Sequence, residues 1–123
     1  MALRGIRGAA TVEKNDKEEI WRTAQTLVTK IFSANELDLN NIGAMIFSST
    51  EDLTAAFPST GVRQLENFSF VPLFDTRQIA VEESLPLCIR VLILADIDKK
   101  PDEICHIYLG GAKKLRPDLR SSF

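Results

Sequence analysis

The feature that most constrains this chain is the run LCIRVLILA at residues 87–95. Its β-branched and aliphatic residues predict a strand with apolar side chains on both faces, and it is much shorter than the about 20 residues of a membrane-spanning helix. Arg90 lies inside this run. A guanidinium there needs an anionic partner, either an internal carboxylate such as Asp75 or Glu82 or a bound ligand. The spacing alone leaves both interpretations open.

The remaining pattern predicts two helices and several shorter strands. Asp16 and Glu19 have the spacing of a capping box, and apolar residues recur at helical spacing from there to Asn35. Pro58 suits the first turn of a shorter helix that runs towards Leu65. Further strands are predicted at residues 2–12, 44–47, 68–74 and 106–109.

This order of elements predicts an α+β fold with a single domain over residues 1–123. A mixed β-sheet would carry the long and the short helix on one face and leave its other face uncovered. Because uncovered apolar surfaces of that size are rare in monomers, we expect the protein to form an oligomer.

Charge and composition exclude several classes of function. Lys and Arg number 15 against 17 Asp and Glu, so there is no overall positive field for nucleic acid or an anionic membrane. Cys88 and Cys105 are expected to be reduced thiols, and the N-terminus lacks an apolar signal core, so the predicted location is the cytoplasm. His106 is the single histidine and is expected to be a packed or edge residue, so no metal site is predicted.

Two other groups of cations have alternative interpretations. Arg7 stands between Ile6 and Gly8 in a predicted strand, where it could line a pocket or lie at a sheet edge. A basic segment near the C-terminus is typical of a solvated chain end. It contains Lys113, Lys114, Arg116 and Arg120.

Fragments along nearly the whole chain resemble, in order and spacing, the monofunctional chorismate mutases of the trimeric α/β type. They include RGIRGA at 4–9, AFP at 56–58, VP at 71–72, CIRV at 88–91, HIYL at 106–109 and LRPDL at 115–119. No fragment is specific by itself, but the ordered set is.

The resemblance implies a homotrimer with a pseudo-α/β-barrel arrangement, no cofactor, and active sites between neighbouring subunits. One subunit would contribute Arg7, Arg90, Tyr108, Leu115 and Arg116. The other would contribute Phe57, Ser59, Thr60, Arg63, Leu73, Phe74, Asp75 and Gln78.

The implied reaction is the intramolecular pericyclic rearrangement of chorismate to prephenate, which needs no nucleophile, metal or organic cofactor. Arg90 would stabilise the negative charge that grows on the ether oxygen. Arg7 would bind a carboxylate and, with Tyr108, hold the enolpyruvyl group over the ring. Apolar walls would come from Phe57, Leu73 and Leu115, and contacts to the second carboxylate from Arg63 and Arg116.

Three positions depart from the family pattern. Gln78 stands where many members have a glutamate, Asp75 where a cysteine is common, and Thr60 where a lysine is often found. We expect Asp75 to supply the carboxylate and Gln78 a neutral hydrogen bond, and we expect Thr60 to weaken substrate capture rather than chemistry. Two alternatives stay open: a non-catalytic module that binds chorismate or a dicarboxylate at a degenerate site, and an enzyme for a different small anion.

Overall fold

The computed structural model describes residues 2–115, which form a five-stranded sheet with two α-helices. The strands are β1 (Ala2–Thr11), β2 (Ile42–Ser49), β3 (Leu73–Arg77), β4 (Cys88–Ile97) and β5 (Ile107–Leu109), and the helices are α1 (Lys17–Asn35) and α2 (Pro58–Arg63). Their order across the sheet is β3-β2-β4-β1-β5. Strand β4 is antiparallel to β1 and β2, whereas β3 and β5 are parallel to their neighbours. The predicted mixed sheet of an α+β fold is therefore confirmed.

The apolar run at 87–95 forms most of the central strand, β4. It is flanked by β1 and β2, so its backbone is hydrogen-bonded on both sides. Ile89, Val91 and Ile93 point into the main core, and the residues between them point to the opposite face.

Helix α1 begins as the sequence predicts. The Asp16 carboxylate accepts a hydrogen bond from the Glu19 N–H at 3.0 Å, while the Glu19 carboxylate accepts one from the Glu13 N–H at 2.6 Å rather than from the cap itself. The helix ends where Glu36 adopts a left-handed conformation with φ of 53°. Among residues 2–115, neither this helix nor any other combines the length and apolar character needed to cross a membrane.

Both helices pack on the same face of the sheet. The main core joins Ile6, Phe47 and Ile93 of the sheet to Leu27, Ile31 and Val62 of the helices, and all six are fully buried. Gly8 permits the close approach of α1, because a Cβ at that position would lie 2.7 Å from Ile31 Cδ1.

Neither α-helix covers the opposite face of the sheet, although the 3-10 turn at Gly110–Lys114 packs on one end of it through Ala112, against Ala9 and Tyr108. This open face carries Leu92, Leu94 and Ile46, which are half-buried, and Phe74, which is 64% exposed. The predicted uncovered sheet face is therefore present in the protomer over β2, β3 and the part of β4 that pairs with β2, and the 3-10 turn covers its other end.

The predicted strand at 68–74 is wrong in most of its length. Asn67 has a φ of 70°, and the Val71 N–H donates to the Phe68 carbonyl, so the chain turns here. Phe68 lies in this turn and packs on Phe32 of α1, with ring centroids 5.3 Å apart, so its apolar character reflects a contact with the helix and not a place in the sheet. Strand β3 starts only at Leu73, after Pro72. Helix α2 ends at Arg63, two residues before the predicted end, and a further turn continues to Leu65.

Candidate active site

Arg90 lies on the open face of the central strand, and part of its guanidinium has no hydrogen-bond partner among residues 2–115. Within residues 2–115, its Nε is buried and has no hydrogen-bond partner. Of the two carboxylates considered from the sequence, Glu82 lies exposed in a loop and Asp75 bonds to another residue, as described below. The buried Nε therefore keeps a hydrogen-bond donor for which residues 2–115 supply no acceptor.

The thiol of Cys88 lies beside the Arg90 side chain, two residues earlier on the same face of β4. Cys88 is fully buried, and burial raises the pKa of its thiol, while the adjacent guanidinium acts in the opposite direction. The thiol is thus a neutral neighbour for the cation and not an ion-pair partner.

Arg7 and Tyr108 lie on the same face as Arg90. Ala9 is the register partner of both Arg90 on β4 and Tyr108 on β5, so these two side chains flank β1, about 10 Å apart at their Cα atoms. Arg7 precedes Ala9 by two residues and points the same way. The sheet register thus places the three residues predicted from the sequence in one cluster.

These residues line a cavity of about 330 Å³ on the open face. Its wall also contains Leu115, Ile46, Leu92 and Ser48. A volume of this size suits a small organic ligand, and the wall is apolar apart from the cations and a few hydroxyl groups. Arg116, which the sequence assigns to the same cluster, lies outside the described residues.

The backbone of Arg7 is fixed by the single histidine. The Arg7 N–H donates to His106 Nδ1 at 2.9 Å, directly before the edge strand β5. His106, expected to be a packed or an edge residue, is half-buried and lies directly before this edge strand.

The second predicted group lies around α2 and β3, in a different part of the protomer. Phe57 directly precedes α2 and is 65% exposed. Phe57 and Asp75 line a separate cavity of about 520 Å³. Thr60 and Arg63 are on α2, where Arg63 is exposed.

Asp75 is bound to Ser59. The Ser59 hydroxyl donates to one carboxylate oxygen and the Ser59 N–H donates to the other at 3.3 Å. Ser59 is 2% exposed, so its side chain has no free surface for a ligand. Each carboxylate oxygen of Asp75 retains lone pairs for a further donor.

Leu73, Phe74 and Gln78 complete the second group. Leu73 packs against the core, whereas Phe74 points outward from the open face. The Gln78 N–H donates to the Ser49 carbonyl, and the Gln78 Oε1 is buried without a hydrogen-bond partner among the described residues. Gln78, like Arg90, therefore has unused hydrogen-bonding capacity.

One protomer does not bring the two groups together. Arg90 points to the open face, while Asp75 points to the helix-covered side, where it meets α2. Sequence reasoning missed Ser48, which is the register partner of Arg90, and Arg77, which lines the cavity beside Phe57. The alternating strand pattern could have placed Ser48 on the open face, but nothing in the sequence reveals the register.

Fold and site together define a small α+β protein with a cavity on one sheet face that is lined by two arginines. The family model of chorismate mutase type I matches residues 3–119. The chain is 44% identical to chorismate mutase AroH of Thermus thermophilus over 98% of both chains, and 40% identical to chorismate mutase AroH of Bacillus subtilis over 97% of this chain and 94% of the relative.

A solved structure agrees with these sequence relatives. A chorismate mutase from Clostridium thermocellum superimposes with a TM-score of 0.86 at 38% identity, covering 89% of this chain and 97% of that one. The chain belongs to the chorismate mutase type I family.

Proposed function

We propose that the protein is a cytoplasmic chorismate mutase that works as a homotrimer with its active sites between subunits. The observation that carries the proposal is the Arg90 guanidinium, which faces a cavity of about 330 Å³ with its buried Nε unpaired among residues 2–115. A dianionic substrate would supply the acceptor that the Arg90 guanidinium lacks.

The chemistry requires a fixed cation rather than a nucleophile. As the carbon–oxygen bond of chorismate breaks ahead of carbon–carbon bond formation, negative charge grows on the ether oxygen. Arg90 would stabilise this charge, and because it stands on the central strand, little reorganisation accompanies the reaction. The protein thereby stabilises the transition state more than the substrate.

Arg7 and Tyr108 would hold the substrate in its reactive conformation. The planar guanidinium of Arg7 suits a bidentate contact with a carboxylate, and its cluster with Tyr108 favours the enolpyruvyl group lying over the ring. Leu115 would supply an apolar wall, and Arg116 would meet the second carboxylate at the mouth of the site.

The neighbouring subunit would complete the site. Support comes from the separate positions of the two groups in one protomer and from the apolar open face, which is typical of a subunit interface. The contributed residues would be Phe57, Leu73 and Phe74 as apolar contacts, Thr60 and Arg63 near the second carboxylate, and Asp75 and Gln78 near the ring, with buried Ser59 orienting Asp75 instead of contacting the substrate. Closing three subunits would give the pseudo-α/β-barrel arrangement.

Asp75 would supply the negative charge near the electron-poor ring, with Gln78 as a neutral hydrogen-bonding partner. Substituting each separately tests this division. We expect Asp75→Asn to lower kcat and Gln78→Ala to have the smaller effect. An unchanged kcat in Asp75→Asn together with an inactive Gln78→Ala would reverse the assignment.

The function is tested by following prephenate formation with the purified protein. We expect turnover without added metal or cofactor. Binding of chorismate with no prephenate formed would contradict the proposal and identify a binding module.

Mixing two inactive variants tests the shared site. Arg90→Ala and Arg63→Glu each impair every site in their own homotrimers. After unfolding and joint refolding, random assembly restores about a quarter of the sites, because both halves of a site are then intact by chance. Refolding each variant alone is the control. No recovery in the mixture would mean that a site lies within one chain.

A further inference from the structure

A network of hydrogen bonds at the start of β4 involves two residues to which the mechanism assigns no role, Thr50 and Asp52. The Asp52 carboxylate accepts from the Leu87 N–H at 3.0 Å and from the Thr50 hydroxyl at 2.5 Å. The same hydroxyl accepts from the Cys88 N–H at 3.0 Å, and the Thr50 N–H donates to the Cys88 carbonyl at 3.1 Å. We call these two side chains the β4 latch.

The β4 latch stabilises a backbone conformation at Leu87 that is unfavourable for a leucine. Leu87 has a φ of 51°, in the left-handed region that a leucine rarely adopts. Such a conformation persists only where the surroundings determine it. The carboxylate of Asp52 and the Val12 N–H, which donates to the Leu87 carbonyl at 2.9 Å, fix both sides of this residue.

The residue that follows Leu87 contacts the proposed catalytic cation. Cys88 is fully buried, and Arg90 is its next neighbour on that face of β4, close enough for its positive charge to act on the thiol. Arg90 Nε has no hydrogen-bond partner among the described residues, so no described side chain fixes that nitrogen independently of the strand. A shift of the strand start would move the thiol and release the cation.

We propose that Asp52 and Thr50 are positioning residues that fix the guanidinium of Arg90 through Leu87 and Cys88. The proposal rests on the assignment of Arg90 as the cation beside the ether oxygen. It predicts loss of kcat rather than of substrate binding, because Arg7 and the carboxylate contacts are not part of the latch.

Four Asp52 and Leu87 variants test it through steady-state kinetics. In Asp52→Ala we expect kcat to fall about 10-fold with little change in KM, because small misplacements of catalytic groups have effects up to about 10². Asp52→Asn keeps an acceptor oxygen and should retain most of the rate. Leu87→Gly alone should be close to wild type, and in combination with Asp52→Ala it should recover most of the lost kcat, because glycine adopts a positive φ without strain.

A stability control separates positioning from general weakening. Asp38→Ala removes another carboxylate that accepts a backbone N–H, from Asn40 at 2.9 Å beside a short 3-10 turn. It should lower the melting temperature and leave kcat unchanged. If Asp52→Ala fails to fold, Thr50→Val and Thr50→Ser provide the same comparison, since only serine keeps the hydroxyl group that bonds to Cys88.

A kcat for Asp52→Ala or Thr50→Val within about twofold of wild type would overturn the proposal. An Asp52→Asn variant as slow as Asp52→Ala would also overturn it, because it would show that the charge of Asp52 matters and not its hydrogen bonds. A double variant with no recovery would also overturn it. An Arg90→Ala variant that keeps full activity would instead refute the proposed function of Arg90.

Discussion

The contact between the two helices predicts that Gly61→Ala destabilises the protein, although alanine normally favours a helix. A Cβ at residue 61 would lie 2.7 Å from both the Cα and the carbonyl oxygen of Trp21. Ordinary contacts are about 3.5 to 4.0 Å, so α2 must withdraw from α1 by about 1 Å. No rotamer change relieves the clash, because the opposing atoms belong to the backbone of α1.

The size of the effect follows from two opposing terms. Overpacking of this kind costs about 1 to 3 kcal/mol, and the helix propensity of alanine offsets about 1 kcal/mol. Withdrawal of α2 also lengthens the 2.8 Å hydrogen bond from Gln25 Nε2 to the Gly61 carbonyl. We expect a net loss of about 1 to 2 kcal/mol, which lowers the melting temperature by about 4 to 8 °C.

Thermal unfolding by circular dichroism at equal protein concentrations measures this effect, and kinetics add a second readout. Phe57 precedes α2 and Arg63 ends it, so a displaced helix should raise KM more than it lowers kcat. Gly43→Ala is the matched control, because its Cβ would meet its nearest atom, the Leu94 carbonyl oxygen, at 3.6 Å. A more stable Gly61→Ala variant, or an equal loss in Gly43→Ala, would refute the reasoning.

Three further substitutions have expected outcomes. Asn35→Ala should lower the free energy of unfolding by about 2 to 4 kcal/mol in denaturant titrations, because its amide bonds to both the N–H and the carbonyl of Cys105; a loss below about 1 kcal/mol would contradict this. Burial raises the pKa of the Cys88 thiol above its ordinary value of 9.0, so the unfolded chain loses this proton first and the free energy of unfolding falls as the pH rises above 9. In the same titrations, the free energy of unfolding of Cys88→Ala should therefore decline less steeply above pH 9 than that of wild type, and parallel pH curves for the two proteins would contradict this. Thr60→Lys should lower KM with kcat unchanged in the prephenate assay, since it adds a peripheral cation; an unchanged KM would count against that role.

Local patterns predicted those parts of the fold that local interactions determine. The start of α1 follows from Asp16 and Glu19, whose hydrogen bonds span only a few residues. The central strand follows from its apolar run. The residues around Phe68 misled the prediction, because Phe68 is held by a ring contact with Phe32, far away in sequence.

The sequence named candidate site residues but could not predict their positions relative to one another. The resemblance named Arg7, Arg90 and Tyr108, and the sheet register then placed them on one face. The bond between Ser59 and Asp75 could not be predicted, because it joins residues 16 positions apart through tertiary packing. The same holds for the contact of Asp52 with Leu87, which spans 35 positions.

The central claim is that the Arg90 guanidinium is completed by the substrate and stabilises its departing ether oxygen. Its most direct test is the kcat for prephenate formation by Arg90→Ala, with trimer assembly and circular dichroism checked against wild type. The account predicts an intact fold and a kcat lower by at least about 10² to 10³. A folded Arg90→Ala variant whose kcat stays within a few-fold of wild type would contradict it.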